Sequence, residues 1–112
     1  MRDHSYDAVI SRYMLHHIHN PIIFWREIKR LVKFGGVVYV MDLIRPGSPE
    51  DARKIVEEVA GKEDHILKED FYNSLCAAFT PEEVIKQLTK AGLNLSVEKV
   101  SNRHIVIKGR MV

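Results

Sequence analysis

The chain has 112 residues, 46% hydrophobic and 29% charged with six Gly and four Pro, which fits one soluble globular domain and excludes collagen-like and disordered classes. Seventeen Lys and Arg against fifteen Asp and Glu leave a formal charge of +2, too slight to require a nucleic-acid or anionic-membrane partner. No apolar run approaches the ~18 residues of a membrane span, Met1-Arg2-Asp3-His4 has no signal-peptide stretch, and the single cysteine excludes an intramolecular disulfide, so the chain reads as cytoplasmic with no membrane partner.

Tyr6-Asp7-Ala8-Val9-Ile10-Ser11 reads as a short strand whose continuous apolar core predicts cover on both faces. Asn20-Pro21 opens a helix, with Asn as N-cap and Pro at a position where no N–H is needed. Phe24, Ile28, Leu31 and Val32 supply its buried stripe, Trp25 packs beside them, and Gly35-Gly36 is expected to stop it. Val37–Met41 follows as a second continuous apolar strand. Strand, helix and strand within ~36 residues form a parallel βαβ unit.

Ser48-Pro49-Glu50-Asp51 is a helix start, with Ala52, Ile55, Val56, Val59 and Ala60 on one face. A second helix is predicted over His65–Ala78, with Ile66, Leu67, Phe71, Leu75 and Ala78 as its apolar positions. Thr80-Pro81-Glu82-Glu83 is a capping box that begins a third, with stripe Val84, Ile85, Leu88 and Ala91 before Gly92. Leu93, Leu95 and Val97, then Ile105 and Ile107, alternate with polar residues around a polar turn, which predicts an antiparallel hairpin. The order is β-α-β-α-α-α-β-β, an α/β fold with two parallel strands followed by an antiparallel C-terminal hairpin. A ferredoxin-like fold fits poorly, because three helices separate the second and third strands.

In open α/β sheets, ligands bind outside the carboxyl ends of the parallel strands. Those ends are Ser11-Arg12-Tyr13 and Asp42-Leu43-Ile44-Arg45, and the helical excursion 48–79 leaves from the same edge, poised to cover the crevice. The residues there carry a resemblance. Tyr6–Ser11 followed by Met14-Leu15-His16-His17-Ile18 resembles the fourth-strand segment of class I S-adenosylmethionine-dependent methyltransferases, most closely the ubiquinone/menaquinone-biosynthesis-like branch. Leu31-Val32-Lys33-Phe34-Gly35-Gly36 is similar to the family's turn into the fifth strand, and Asp42-Leu43-Ile44-Arg45-Pro46 to its exit. Phe79-Thr80-Pro81-Glu82-Glu83 through Ala91-Gly92-Leu93 resembles the helix before the closing hairpin.

The resemblance implies a partial Rossmann-like methyltransferase sheet, with residues 1–112 as one domain corresponding to the C-terminal half of the family's domain. It implies S-adenosylmethionine as cofactor. It places Ser11 and Arg12 on the rim beside the cofactor's methionine moiety, His16 and His17 beside the cofactor and acceptor pocket, and Phe71 and Tyr72 in the region that shapes acceptor specificity. The family holds its cofactor mainly with a Gly-rich turn after the first strand and an acid ending the second. This sequence has no G-x-G turn, so the expectation is that the chain does not transfer methyl groups alone.

His16 and His17 are the candidates for a general base if a complete site is assembled. His4, His16, His17 and His19 invite a metal reading, but no Cys or carboxylate with ligand spacing accompanies them and no metal is expected. Asp42 either faces the crevice or bonds its own loop. Cys76, among Leu75, Ala77, Ala78 and Phe79, reads as a small buried hydrophobe. Arg103, His104, Lys108 and Arg110 make a basic hairpin without the aromatic ladder of a nucleic-acid surface. In the family the fourth strand is central, so Ala8-Val9-Ile10 at an open edge predicts a homodimer, or pairing with the missing N-terminal half on another chain. Two functions follow: half of a methyltransferase, with a small-molecule ligand, or a non-catalytic oligomeric module derived from the same fold.

Overall fold

A computed structural model describes residues 4–111. The N-terminal Met1-Arg2-Asp3, read above for export, lies outside the described residues. The elements run β1 (Tyr6–Arg12), a single 3-10 turn (Leu15–His17), α1 (Pro21–Leu31), β2 (Val32–Leu43), α2 (Pro49–Ala60), α3 (His65–Ala77), α4 (Pro81–Ala91), β3 (Ser96–Lys99) and β4 (His104–Arg110). The four strands form one sheet in the order β1-β2-β4-β3, with β1 parallel to β2 and the other two pairs antiparallel. This is the α/β order expected from periodicity. Among the described residues no helix is long and apolar enough to cross a membrane.

Three local rules start the later helices. The Ser48 hydroxyl accepts from Asp51 N at 3.1 Å, and the Asp64 carboxylate accepts from Leu67 N at 2.9 Å. Thr80 and Glu83 close a reciprocal capping box, and Gly92 at φ 74° ends α4 in the left-handed region. Asn20 precedes α1 as expected, but its side chain makes no capping bond; Pro21 sets the first turn.

Gly35-Gly36 does not stop α1. The helix ends at Leu31 and β2 begins at once with Val32, so both glycines lie inside the strand. Tyr6 pairs with Val32 but Ala8 pairs with Val37, which leaves a long bulge on β2 between those partners. Gly35 there takes φ 81°, and a Cβ on Gly36 would sit 2.6 Å from Val32 Cγ1 and 2.9 Å from the Asp7 carbonyl oxygen. The glycines serve the bulge because the chain must turn left-handed and pass close to β1.

One face of the sheet is closed. Val38, Val40, Ile105 and Ile107 pack with Trp25 and Ile28 of α1 and Val84 and Leu88 of α4 in the main core. Trp25 is fully buried, and its indole N–H donates to Gln87 Oε1 at 2.9 Å. The predicted cover on both faces is corrected: Ile10 is 71% exposed and Val37 38%, because α1 and α4 lie together on the other side. A second core under α2 and α3 joins Leu43, Ala52, Ile55, Val56, Leu75 and Ala78. Ile66, Leu67 and Ile85, expected in apolar stripes, are exposed, and so is Cys76, whose neighbours Leu75 and Ala78 take the inward positions.

Candidate functional site

A crevice of about 510 Å³ opens at the carboxyl ends of β1 and β2. Its floor is Leu43, at the end of β2, with His16 and His17 from the 3-10 turn. Val59 of α2 with Phe71 and Ser74 of α3 form the roof, so the helical excursion covers the crevice as its departure point implied. Tyr13, Arg103 and His104 complete the far wall.

The 3-10 turn is anchored by burial and by one carboxylate. Leu15 is almost fully buried, and its N–H donates to Asp42 Oδ2 at 2.7 Å. Asp42 Oδ1 accepts from Leu43 N at 2.9 Å and lies 2.6 Å from His16 Nδ1. Asp42 therefore bonds the loops around it, the second of its two sequence readings. Since its oxygens already accept from two backbone donors, the proton of the His16 contact belongs on Nδ1. In the neutral ring that leaves His16 Nε2 as an acceptor, with no protein hydrogen bond among the described residues, in a side chain that lines the crevice. His17, exposed, lies with its ring 4.0 Å from that of His16.

The opposite wall is a second hydrogen-bonded chain that sequence reasoning treated only as part of a basic hairpin. The Tyr13 hydroxyl is 3.3 Å from His104 Nε2, and the Ser101 hydroxyl is 2.8 Å from His104 Nδ1. Tyr13 is held at φ 58°, with its N–H donating to the Met41 carbonyl at 2.9 Å. Burial, and then the neighbouring Arg103 charge, hold the His104 imidazole below its ordinary pKa. Ile44 N donates to the Arg103 carbonyl at 2.9 Å and ties this wall to β2. The Tyr13–His104 contact spans 91 residues, so no local pattern announces it, whereas Ser101 and His104 are three residues apart.

Of the site residues expected from sequence, the structure brings His16, His17 and Phe71 into one crevice. Ser11 and Arg12 stand at the carboxyl end of β1 outside its lining; Ser11 Oγ is buried without a hydrogen-bond partner, and Arg12 is exposed. Tyr72 lies outside it too, with the Arg53 guanidinium 3.7 Å above its ring and its phenol pushed above the usual range chiefly by a hydrogen bond to Cys76. His4 and His19 are not in the crevice lining, and among the described residues no group of three or more His, Cys, Asp or Glu is arranged to hold a metal.

A family model described as a methyltransferase domain matches residues 1–40. An uncharacterized protein YafE of Escherichia coli (strain K12) is 47% identical over 47 residues, which are 42% of this chain and 23% of that protein. A SAM-dependent methyltransferase from Aquifex aeolicus superposes with a TM-score of 0.66 at 16% identity, covering 100% of this chain and 49% of that one. A putative methyltransferase from Bacillus halodurans C-125 gives a TM-score of 0.63 at 17% identity, covering 98% and 66% respectively. The chain thus has the methyltransferase fold read from its motifs and spans about half the length of the Aquifex aeolicus protein, and its match to YafE covers under a quarter of that protein.

S-adenosylmethionine is the cofactor this fold implies, and the side chains present do not form its site by themselves. Asp42, the acid at the carboxyl end of β2, has both oxygens engaged, and Gly35 and Gly36 are committed to the strand bulge. Ser11 Oγ is the one buried side-chain polar atom among the described residues left without a partner, which suits a rim position and supplies no grip.

Proposed function

We propose that this chain forms the acceptor side of an S-adenosylmethionine-dependent methyl-transfer site. The elements that grip the cofactor would be supplied by sequence other than these 112 residues, either on another chain or ahead of residue 1. The observation that carries this reading is the Asp42–His16 pair at the carboxyl ends of two parallel strands, opening on a roofed crevice. Asp42 holds the imidazole in one tautomer and one orientation, as in carboxylate–histidine pairs generally. His16 Nε2 would then accept the proton of the acceptor's nucleophilic group, and His17 would shape the entrance. Ser11 and Arg12 would border the cofactor, with Phe71 against the acceptor. A chimera tests this reading. Joining the part of the Aquifex aeolicus SAM-dependent methyltransferase that this chain does not cover ahead of Tyr6 should create micromolar S-adenosylmethionine affinity that the isolated chain lacks. Micromolar binding by the isolated chain, or a folded chimera that does not bind, would overturn it.

A second reading, a non-catalytic oligomeric module, is favoured by β1. Its outer edge pairs with no strand among the described residues, and Ile10 stands out on the uncovered face. On this reading two copies pair through β1, and light scattering finds a dimer. A monomer at micromolar concentration would sink the homodimer.

A further inference from the structure

The crevice has a chemical polarity that neither the fold nor the comparisons supply. Its lining carries His16, His17, Arg103 and His104, together with the hydroxyls of Tyr13 and Ser74, and no carboxylate. Asp42, hydrogen-bonded to His16, is 1% exposed and spent on three donors. An ammonium group entering here would meet the Arg103 guanidinium and would find only neutral acceptors, the imidazoles and hydroxyls, with no exposed carboxylate of the lining to pair with. An anion meets the reverse: Arg103, whose guanidinium contacts only the neutral Asn102 amide among the described contacts. The rest of the lining, Leu43, Val59 and Phe71, is apolar and sized for a ring or a branched aliphatic body.

We propose that this crevice takes a small organic anion, a carboxylate carried on an apolar or aromatic body. The carboxylate sits at Arg103, the guanidinium of the lining, on the wall it shares with His104. The body lies between Phe71 and Leu43, which directs the remainder of the ligand toward His16 Nε2. Arg103 is thereby a specificity-determining residue, since a planar guanidinium pairs with a carboxylate through two parallel hydrogen bonds. The inference rests on the crevice being the acceptor site, yet concerns binding alone and needs no cofactor.

The test is a heteronuclear NMR titration of the full chain with three probes of one shape: phenylacetate, phenethylamine and 2-phenylethanol. Phenylacetate should bind with a Kd of about millimolar order, as expected for a ligand of this size. Its affinity should exceed that of phenethylamine by about tenfold, the scale of one partly screened ion pair. The shifts should centre on Tyr13, Phe71 and His104. Arg103→Gln should abolish the preference for the anion, and Arg103→Lys should keep most of it; both variants should fold, since that side chain lies on a surface turn. Equal or tighter binding of the amine, shifts centred elsewhere, no saturable shift with phenylacetate, or an anion preference that survives Arg103→Gln would each overturn the proposal. No S-adenosylmethionine is present in the titration, so its outcome is separate from the chimera's: an amine preference would leave methyl transfer standing and reverse the class of acceptor.

Discussion

Asp42 Oδ1 lies 2.6 Å from His16 Nδ1, joining the end of β2 to the turn that follows β1 across 26 residues of sequence. The same carboxylate fastens Leu15 N and Leu43 N, so it is at once the anchor of the crevice floor and the residue that sets the His16 tautomer. Structure and candidate chemistry share one side chain.

Asp42→Ala should therefore cost about 3 kcal/mol or more, because it strands buried backbone donors as well as an imidazole N–H. His16→Ala removes only one of the three donors and should cost less. Urea denaturation of the two variants checks the order; a loss below about 1 kcal/mol for Asp42→Ala would contradict the anchoring role.

Gly36→Ala should destabilise the chain by about 2–3 kcal/mol, since its Cβ would enter the space of Val32 and the Asp7 carbonyl. Gly35→Ala meets no neighbour and carries only the left-handed backbone penalty of about 1–2 kcal/mol. The ranking distinguishes close approach from backbone conformation at adjacent positions.

Gln87→Leu leaves the Trp25 indole N–H buried without its acceptor and should cost about 1–3 kcal/mol. Trp25 is the single tryptophan, so its fluorescence reports directly. Emission should stay blue-shifted in the folded variant while the unfolding midpoint falls.

The His104 imidazole binds its proton less readily folded than unfolded, because burial and then Arg103 hold its pKa below 6.5. Its contribution to stability is full above the unfolded pKa and is lost as pH falls through the folded one. The thermal midpoint should drop between about pH 7 and the folded value, and His104→Asn should flatten that part of the profile.

Ile10→Lys should leave stability within about 0.5 kcal/mol, since the side chain is 71% exposed. If β1 carries a homodimer, the substitution should shift the molecule to monomer in light scattering. An unchanged dimer would place that interface elsewhere.

Sequence alone determined the elements, because helix starts and strand periods are local. Ser48 and the Thr80–Glu83 box act within three residues, and the hairpin alternation reports a face without its partner. It also pointed to the ends of β1 and β2 as the place to look for a ligand, since topology follows from element order. Tertiary structure decided what those ends hold. The Asp42–His16 pair, the Tyr13–His104 contact and the Trp25–Gln87 bond all join side chains brought together by sheet register and helix packing rather than by spacing. The glycines show the same division. From sequence they read as the end of a helix, and they bulge a strand instead because β1 pairs alongside. Likewise, continuous apolar runs announced two covered faces, and only the placement of α1 and α4 on one side revealed which face these residues leave open.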